Sequence, residues 1–168
     1  MKKTILTIIA AIAISSMAFA EEKIAYVNTE AIMQDMSEIK DIQKQLEEEQ
    51  SKYKTEMELM EKEYESKVMA YKEQEATMSD AMKQTRQGEI ADIEQRYQTF
   101  RQQVVSELQK KHEQLMQPVI DKVKKAIEEV GKEKGYAYIL DEASQVILYH
   151  SPSAANAEPA VRLKLGLK

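Results

Sequence analysis

The chain contains no cysteine and no tryptophan. Without cysteine there is no disulfide, no thiol nucleophile, no thiolate-held zinc or iron–sulfur cluster and no lipidated cysteine anchor. Histidine is almost missing too. Only His112 and His150 occur, which leaves histidine-based catalysis and metal binding little material. Glycine (4) and proline (3) are scarce in 168 residues, which argues against a many-turned all-β fold. Aromatic residues make up only 6%. No Ser–His–acid spacing, glycine-rich phosphate loop or paired-carboxylate motif stands out. No catalytic residue, metal or cofactor is therefore assigned, and the chain reads as a non-enzyme. What is present is charge, at 32%, with a mean hydropathy of -0.55. Long Lys/Glu/Gln/Met tracts with few breakers make long helices.

The first twenty residues read as a secretory signal. Lys2 and Lys3 give a positive start, Ile5 to Ile14 is a short apolar run, and Ala18-Phe19-Ala20 sets cleavage before Glu21. The run is short against the roughly 20 residues that a membrane span needs. Loss of two lysines moves the net charge from -5 to -7. An acidic secreted chain is a poor partner for nucleic acid.

Beyond the signal, Ile24 to Val27 alternates like a short strand, and Thr29 offers an N-cap for a helix from Glu30. About ninety residues without proline then run to Pro118. Near the other end, Tyr136 to Asp141 and Val146 to Tyr149 read as two strands with a hairpin turn over Glu142 to Gln145. Gly131 and Gly135 are expected to end the preceding helix. Ser151 to Pro159 reads as a loop, and Val161 to Leu167 as a last short helix.

The long middle carries two apolar seams at coiled-coil spacing. One includes Ile39, Ile42, Leu46, Tyr53, Met57, Met60, Tyr64, Tyr71, Met78 and Met82; the other includes Ile90, Ile93, Tyr97, Phe100, Val104, Leu108, Leu115 and Val119. Antiparallel partners have residue numbers with a constant sum. Ile42 with Leu115, Tyr53 with Val104, Met57 with Phe100, Met60 with Tyr97 and Tyr64 with Ile93 all sum to 157. That register folds the chain back between Met78 and Ser79, where Ser79 or Asp80 caps the returning helix. A bend at Gly88 would instead set Tyr53, Met57 and Tyr64 against Asp121, Gln117 and Lys110. The hairpin is roughly 60 Å long.

Such a hairpin returns the chain to its start, so the β-like ends meet. The expected fold is α+β, with a helical arm over 38–117 and a tip near 76–80. The body is discontinuous and β-rich, formed by 21–37 and 118–168. A body so small hides little of its own surface and its strand edges. It is expected to oligomerise through Ile24, Tyr26, Val27, Tyr136, Tyr138, Ile139 and Ile147. Pro118 lies inside a helical pattern, where it kinks the helix or ends it near Gln117. At the junction of arm and body it reads as a hinge or as a static kink.

The ordered set of motifs resembles the Skp (OmpH-like) family of periplasmic outer-membrane-protein chaperones. It consists of the signal, then Lys23-Ile24-Ala25-Tyr26-Val27-Asn28, the charged hairpin, Gln117-Pro118-Val119-Ile120, Gly135-Tyr136-Ala137-Tyr138-Ile139-Leu140-Asp141 and Val146-Ile147-Leu148-Tyr149. The resemblance implies a homotrimer with a barrel-like body. Its arms would enclose unfolded outer-membrane proteins in the periplasm without ATP. The chain departs from basic-armed members. Residues 38–75 hold 12 acidic and 7 basic side chains, and residues 79–130 hold 9 of each. That balance argues against anionic lipid or lipopolysaccharide as a ligand.

The seam changes character along its length, from Ile39, Ile42 and Leu46 to a distal Tyr/Met section. Most of these side chains serve as packing between the helices. Methionine and tyrosine also suit adaptable apolar contact. The candidate client-binding residues are Tyr53, Met57, Met60, Tyr64, Met69, Tyr71, Met78, Met82, Tyr97, Phe100 and Val105. Met69 and Val105 lie off the seam. His112 is expected to pack opposite Leu46. The competing reading is a scaffolding coiled coil of the cell envelope, which calls for a more rigid Leu/Ile seam.

Overall fold

The computed structural model describes residues 23–167. The expected signal sequence and its cleavage site lie outside the described residues. The order of elements is β1 (Ile24–Val27), α1 (Thr29–Gln34), α2 (Ser37–Gln74), a 3-10 turn (Glu75–Thr77) and α3 (Asp80–Lys134). After these come β2 (Tyr138–Asp141), a second 3-10 turn (Glu142–Ser144), β3 (Ala155–Asn156) and α4 (Glu158–Leu165). The described residues divide into two compact units: residues 33–122, and residues 23–32 together with 123–167.

In the smaller unit β1 is the central strand, with β2 and β3 on its two edges. Both pairings are parallel, with Ile24 opposite Tyr138, Tyr26 opposite Leu140, and Ala25 opposite Ala155. The strand alternates as its sequence demands: Ala25 and Val27 point inward, and Ile24 points out. The interior is completed by Ile32, Val123, Ala126, Val130, Ala157 and Val161.

The expected hairpin with a strand at Val146–Tyr149 does not form. Asp141 starts a 3-10 turn, and Gln145 takes a left-handed conformation (φ 56°). The segment 146–154 is then the return connection that brings β3 alongside β1 in the parallel sense. β3 is continued by Ala157 N–H donating to the Tyr26 carbonyl at 2.9 Å.

Helix caps also differ in part. The first helix is capped by Asn28, whose side chain accepts from Ala31 N–H at 2.9 Å. Thr29 is occupied elsewhere: its N–H and hydroxyl both donate to the Asp141 carboxylate, at 3.1 and 2.6 Å. Gly131 does not end α3. The helix continues to Lys134, and Gly135 (φ 67°) ends it, with Tyr136 N–H reaching back to the Gly131 carbonyl. Gly131 instead faces Ile139, whose Cδ1 lies 3.5 Å from where a Cβ would stand. The last helix begins earlier than expected, at Glu158 with Pro159 in its first turn.

In the 33–122 unit, α2 and the first part of α3 run antiparallel. Met78 is extended (ψ 144°) between the 3-10 turn and α3, and Ser79 Oγ accepts from Met82 N–H at 3.3 Å. Cross-helix partners include Tyr53 with Phe100 and with Glu107, Lys67 with Glu89, Tyr71 with Gln87, Glu63 with Arg96, and Glu38 with Lys122. Their numbers sum to between 153 and 160, straddling the expected 157 within one helical turn. Pro118 does not end the helix: α3 passes through it to Lys134. One backbone donor is lost there. The side chain of Gln117 donates to Asp121 across the gap at 2.9 Å, and Val119 is buried immediately after. His112 is exposed rather than packed, because the seam passes through Leu108, Lys111 and Leu115.

Candidate functional site in the helical arm

A pair of helices, with no third element along it among the described residues, leaves most large seam residues partly open. In the described arm only Met36, Ile42, Ile93, Val104 and Val119 are buried. Tyr53, Met57, Met60, Tyr64, Tyr71, Met78, Tyr97 and Phe100 are half-buried. Their open flanks form shallow grooves along the arm. One is lined by Met60, Tyr64 and Tyr97, with Glu61, Glu94 and Gln98 at its rim. Another is lined by Tyr53, Met57, Val104, Val105 and Leu108, with Lys54 and Arg101 beside them. Val105 (64%), Met69 (61%) and Met82 (50%) are exposed. The structure thus brings Met60, Tyr64 and Tyr97 together, and Tyr53, Met57 and Val105 together. Met69 and Met82 line neither groove. Leu59, equally exposed at 61%, was missed in the sequence. Its off-seam position was the available signal, as it was for Met69.

The tyrosines hold the distal arm by their hydroxyls as well as their rings. Tyr53 stacks edge-on to Phe100, with centroids 6.2 Å apart, and donates to Glu107 at 2.6 Å. That bond, with lost hydration and the Glu107 charge, pushes the phenol up to about 12. Tyr71 accepts from Gln87 at 2.8 Å and donates to Glu75 at 3.1 Å. Its phenol is raised as well, by lost hydration first and by the Glu75 bond second. Between the tyrosines lies a charged section. Glu89 takes Arg86 at 2.8 Å and Lys67 at 3.1 Å, and its carboxyl is held below the usual range, chiefly by the Arg86 bond.

A pH prediction follows from Tyr53. Its folded pKa lies above its unfolded value of about 10, so the hydroxyl's contribution is complete below pH 10 and lost as pH rises through about 12. Tyr53→Phe is expected to lower arm melting slightly at neutral pH, because the exposed bond to Glu107 is lost. The difference from the parent should vanish above pH 12, and melting followed by circular dichroism at both pH values checks it.

The residues expected at an interface between copies occupy different places. Ile24 and Tyr138 are exposed and paired across β1 and β2. Leu140, also exposed, continues that face beside Val146, Ile147, Leu148 and Tyr149. Tyr26 is half-buried under the ring of His150 (centroids 4.2 Å apart), which also meets Glu142 at 2.8 Å. Tyr136 and Ile139 are half-buried, and Ile139 meets Gly131. Val27 is 1% exposed and is consumed by the interior of its own unit. Among the described residues no cluster of three or more His, Asp or Glu is placed to hold a metal, and no helix is long and apolar enough to cross a membrane.

A family profile described as outer membrane protein (OmpH-like) matches residues 23–161. A comparison with curated proteins finds no match.

Proposed function

The chain belongs to the OmpH-like outer membrane protein family, and on that premise we propose that it is a periplasmic chaperone for outer-membrane proteins. It acts as an ATP-independent holdase whose arm keeps unfolded clients from aggregating. The observation that carries this reading is the distal seam. Tyr and Met side chains stand half-open in grooves along it, with the exposed Val105 in one of them. Adaptable apolar side chains of this kind suit clients of many sequences. A scaffold binding one partner has no use for them. In this reading Pro118, whose missing N–H weakens the helix locally, serves as the hinge of the arm.

Assembly into a homotrimer is the second part of the proposal. The exposed face of Ile24, Tyr138 and Leu140, extended by Val146 (79%), Leu148 (94%) and Tyr149 (80%), is an unusual display of apolar surface for a small unit. Among the described residues, the outer edge of β2 has no strand beside it. Both are supplied with partners if copies associate there. Multi-angle light scattering of the mature chain is expected to give three times the chain mass, and a stable monomer would contradict this.

The functional test is light scattering of an unrelated outer-membrane protein diluted from denaturant, with and without the chaperone. Suppression of aggregation without nucleotide is expected. Because 38–75 carries 12 acidic against 7 basic residues, binding is apolar at its centre, and affinity should change by less than about twofold between low and moderate salt. A steep loss of affinity with salt would show that charge dominates.

A further inference from the structure

Five of the ten methionines lie between Met57 and Met82 in a chain with no cysteine to be oxidised in their place. The structure sorts the five into two groups. Met69 and Met82 are exposed and line neither apolar groove, while Met57, Met60 and Met78 are half-buried. Met57 shares its groove with Tyr53 and Val104, and Met60 with Tyr64 and Tyr97. Because those grooves open to solvent, a small reagent reaches both sulfurs without the arm unfolding.

We propose that the distal arm is an oxidant-modified site: two-electron oxidants of the hypohalous acid or peroxide class convert Met57, Met60 and Met78 to sulfoxides, and the sulfoxides part the two helices. A sulfur lone pair attacks the oxygen of hypochlorous acid. The S–O bond forms, the O–Cl bond breaks, chloride leaves with the bonding pair, and the hydroxyl proton passes to water. Sulfur loses two electrons and chlorine gains them. With a peroxide the O–O bond breaks and water or an alcohol leaves. The product replaces an apolar thioether with a strongly polar acceptor. At Met60 the groove holds Glu61 and Glu94, which accept hydrogen bonds, and Gln98, which can also donate. A polar S–O group pressed half-buried against the opposite helix is hydrated less completely than on separated helices, so oxidation favours separation. The opened arm also loses the grooves. The effect on clients rests on the function proposed above, but the opening itself does not.

The test titrates the mature protein with hypochlorous acid, maps sulfoxides by peptide mass and follows amide exchange along the arm without any client. Met69 and Met82 should oxidise first with exchange unchanged. Sulfoxides at Met57, Met60 and Met78 should then raise exchange across the distal arm about tenfold, and sulfoxide reductases should reverse it. Met36, 1% exposed, should stay reduced until the arm opens. The triple variant Met57→Leu, Met60→Leu, Met78→Leu keeps seam volume, and exchange before treatment establishes that its arm is formed. It should not open on oxidation, whereas Met69→Leu, Met82→Leu should open like the parent. Unchanged exchange with all three seam sulfurs oxidised would overturn the proposal. Equal opening in the triple variant, or seam methionines that resist while Met69 and Met82 are fully converted, would overturn it too. Suppression of client aggregation, measured on the same samples, separates failure of this inference from failure of the chaperone reading.

Discussion

Replacing residues 53–104 with a short Gly/Ser/Asp turn is expected to abolish protection of clients while leaving a folded, assembled body. In the 157 register Lys52 faces Val105, so the cut falls between partners and the stub closes without strain. The stub keeps Glu38 bonded to Lys122 and retains the buried Ile42 and Val119. What it loses is the whole Tyr/Met section with both apolar grooves. The smaller unit keeps every member of its interior, from Ala25 and Val27 through Val123, Val130 and Val161. Suppression of aggregation should fall to background, while mass and amide protection in β1 stay as in the parent. Full protection of clients by the shortened chain would remove the arm from the mechanism. Loss of assembly would mean that the arm contributes contacts between copies.

Asp141→Ala is expected to destabilise the smaller unit strongly. The carboxylate ends β2 and accepts three hydrogen bonds: Thr29 N–H at 3.1 Å, Thr29 hydroxyl at 2.6 Å and Ala143 N–H at 3.1 Å. It ties the start of α1 to the end of β2 across 112 positions of sequence, and it shapes the turn that sends the chain back toward β3. Hydrogen bonds to a charged group contribute about 1.5–3 kcal/mol, and the donors left behind are part-buried. A loss of about 2–4 kcal/mol is therefore expected, a large share of a typical domain's 5–15 kcal/mol. Amide exchange in β1 and β2 is the measurement, because the long helices dominate circular dichroism. Asp141→Asn keeps one acceptor and should lose about half as much. An alanine variant with β1 protection unchanged would show that strand pairing alone holds the unit.

Much of the arm was legible in the sequence because it is made of local information. Seam residues recur every three or four positions, breakers are absent, and Ser79 marks the return. A constant sum of residue numbers then sets the antiparallel register without any knowledge of the tertiary structure. The observed partners Lys67–Glu89 and Tyr71–Gln87 fall within one residue of it. Met69 and Val105, which lie off the seam in the sequence, are exposed.

What the sequence could not decide depends on which segment meets which. Val146 to Tyr149 has the composition of a strand, yet no strand forms there: Gln145 turns left-handed after the 3-10 turn, and the segment becomes the connection to β3 on the other side of β1. Ala155-Asn156 carries no strand signal of its own and is placed only by pairing with Ala25 and Tyr26. Gly131 looked like a helix end and proved to be a contact for Ile139, since packing sustains the helix for another turn. Pro118 carried a local instruction to stop that the burial of its neighbours overrode. Thr29 looked like a cap, but a carboxylate from the far end of the chain took both its donors. Periodicity and capping are properties of neighbours along the chain, so the sequence alone determined the helices and their register. Parallel pairing, the reach of Asp141 and the half-open grooves arise between residues distant in sequence, and only the tertiary structure decided them.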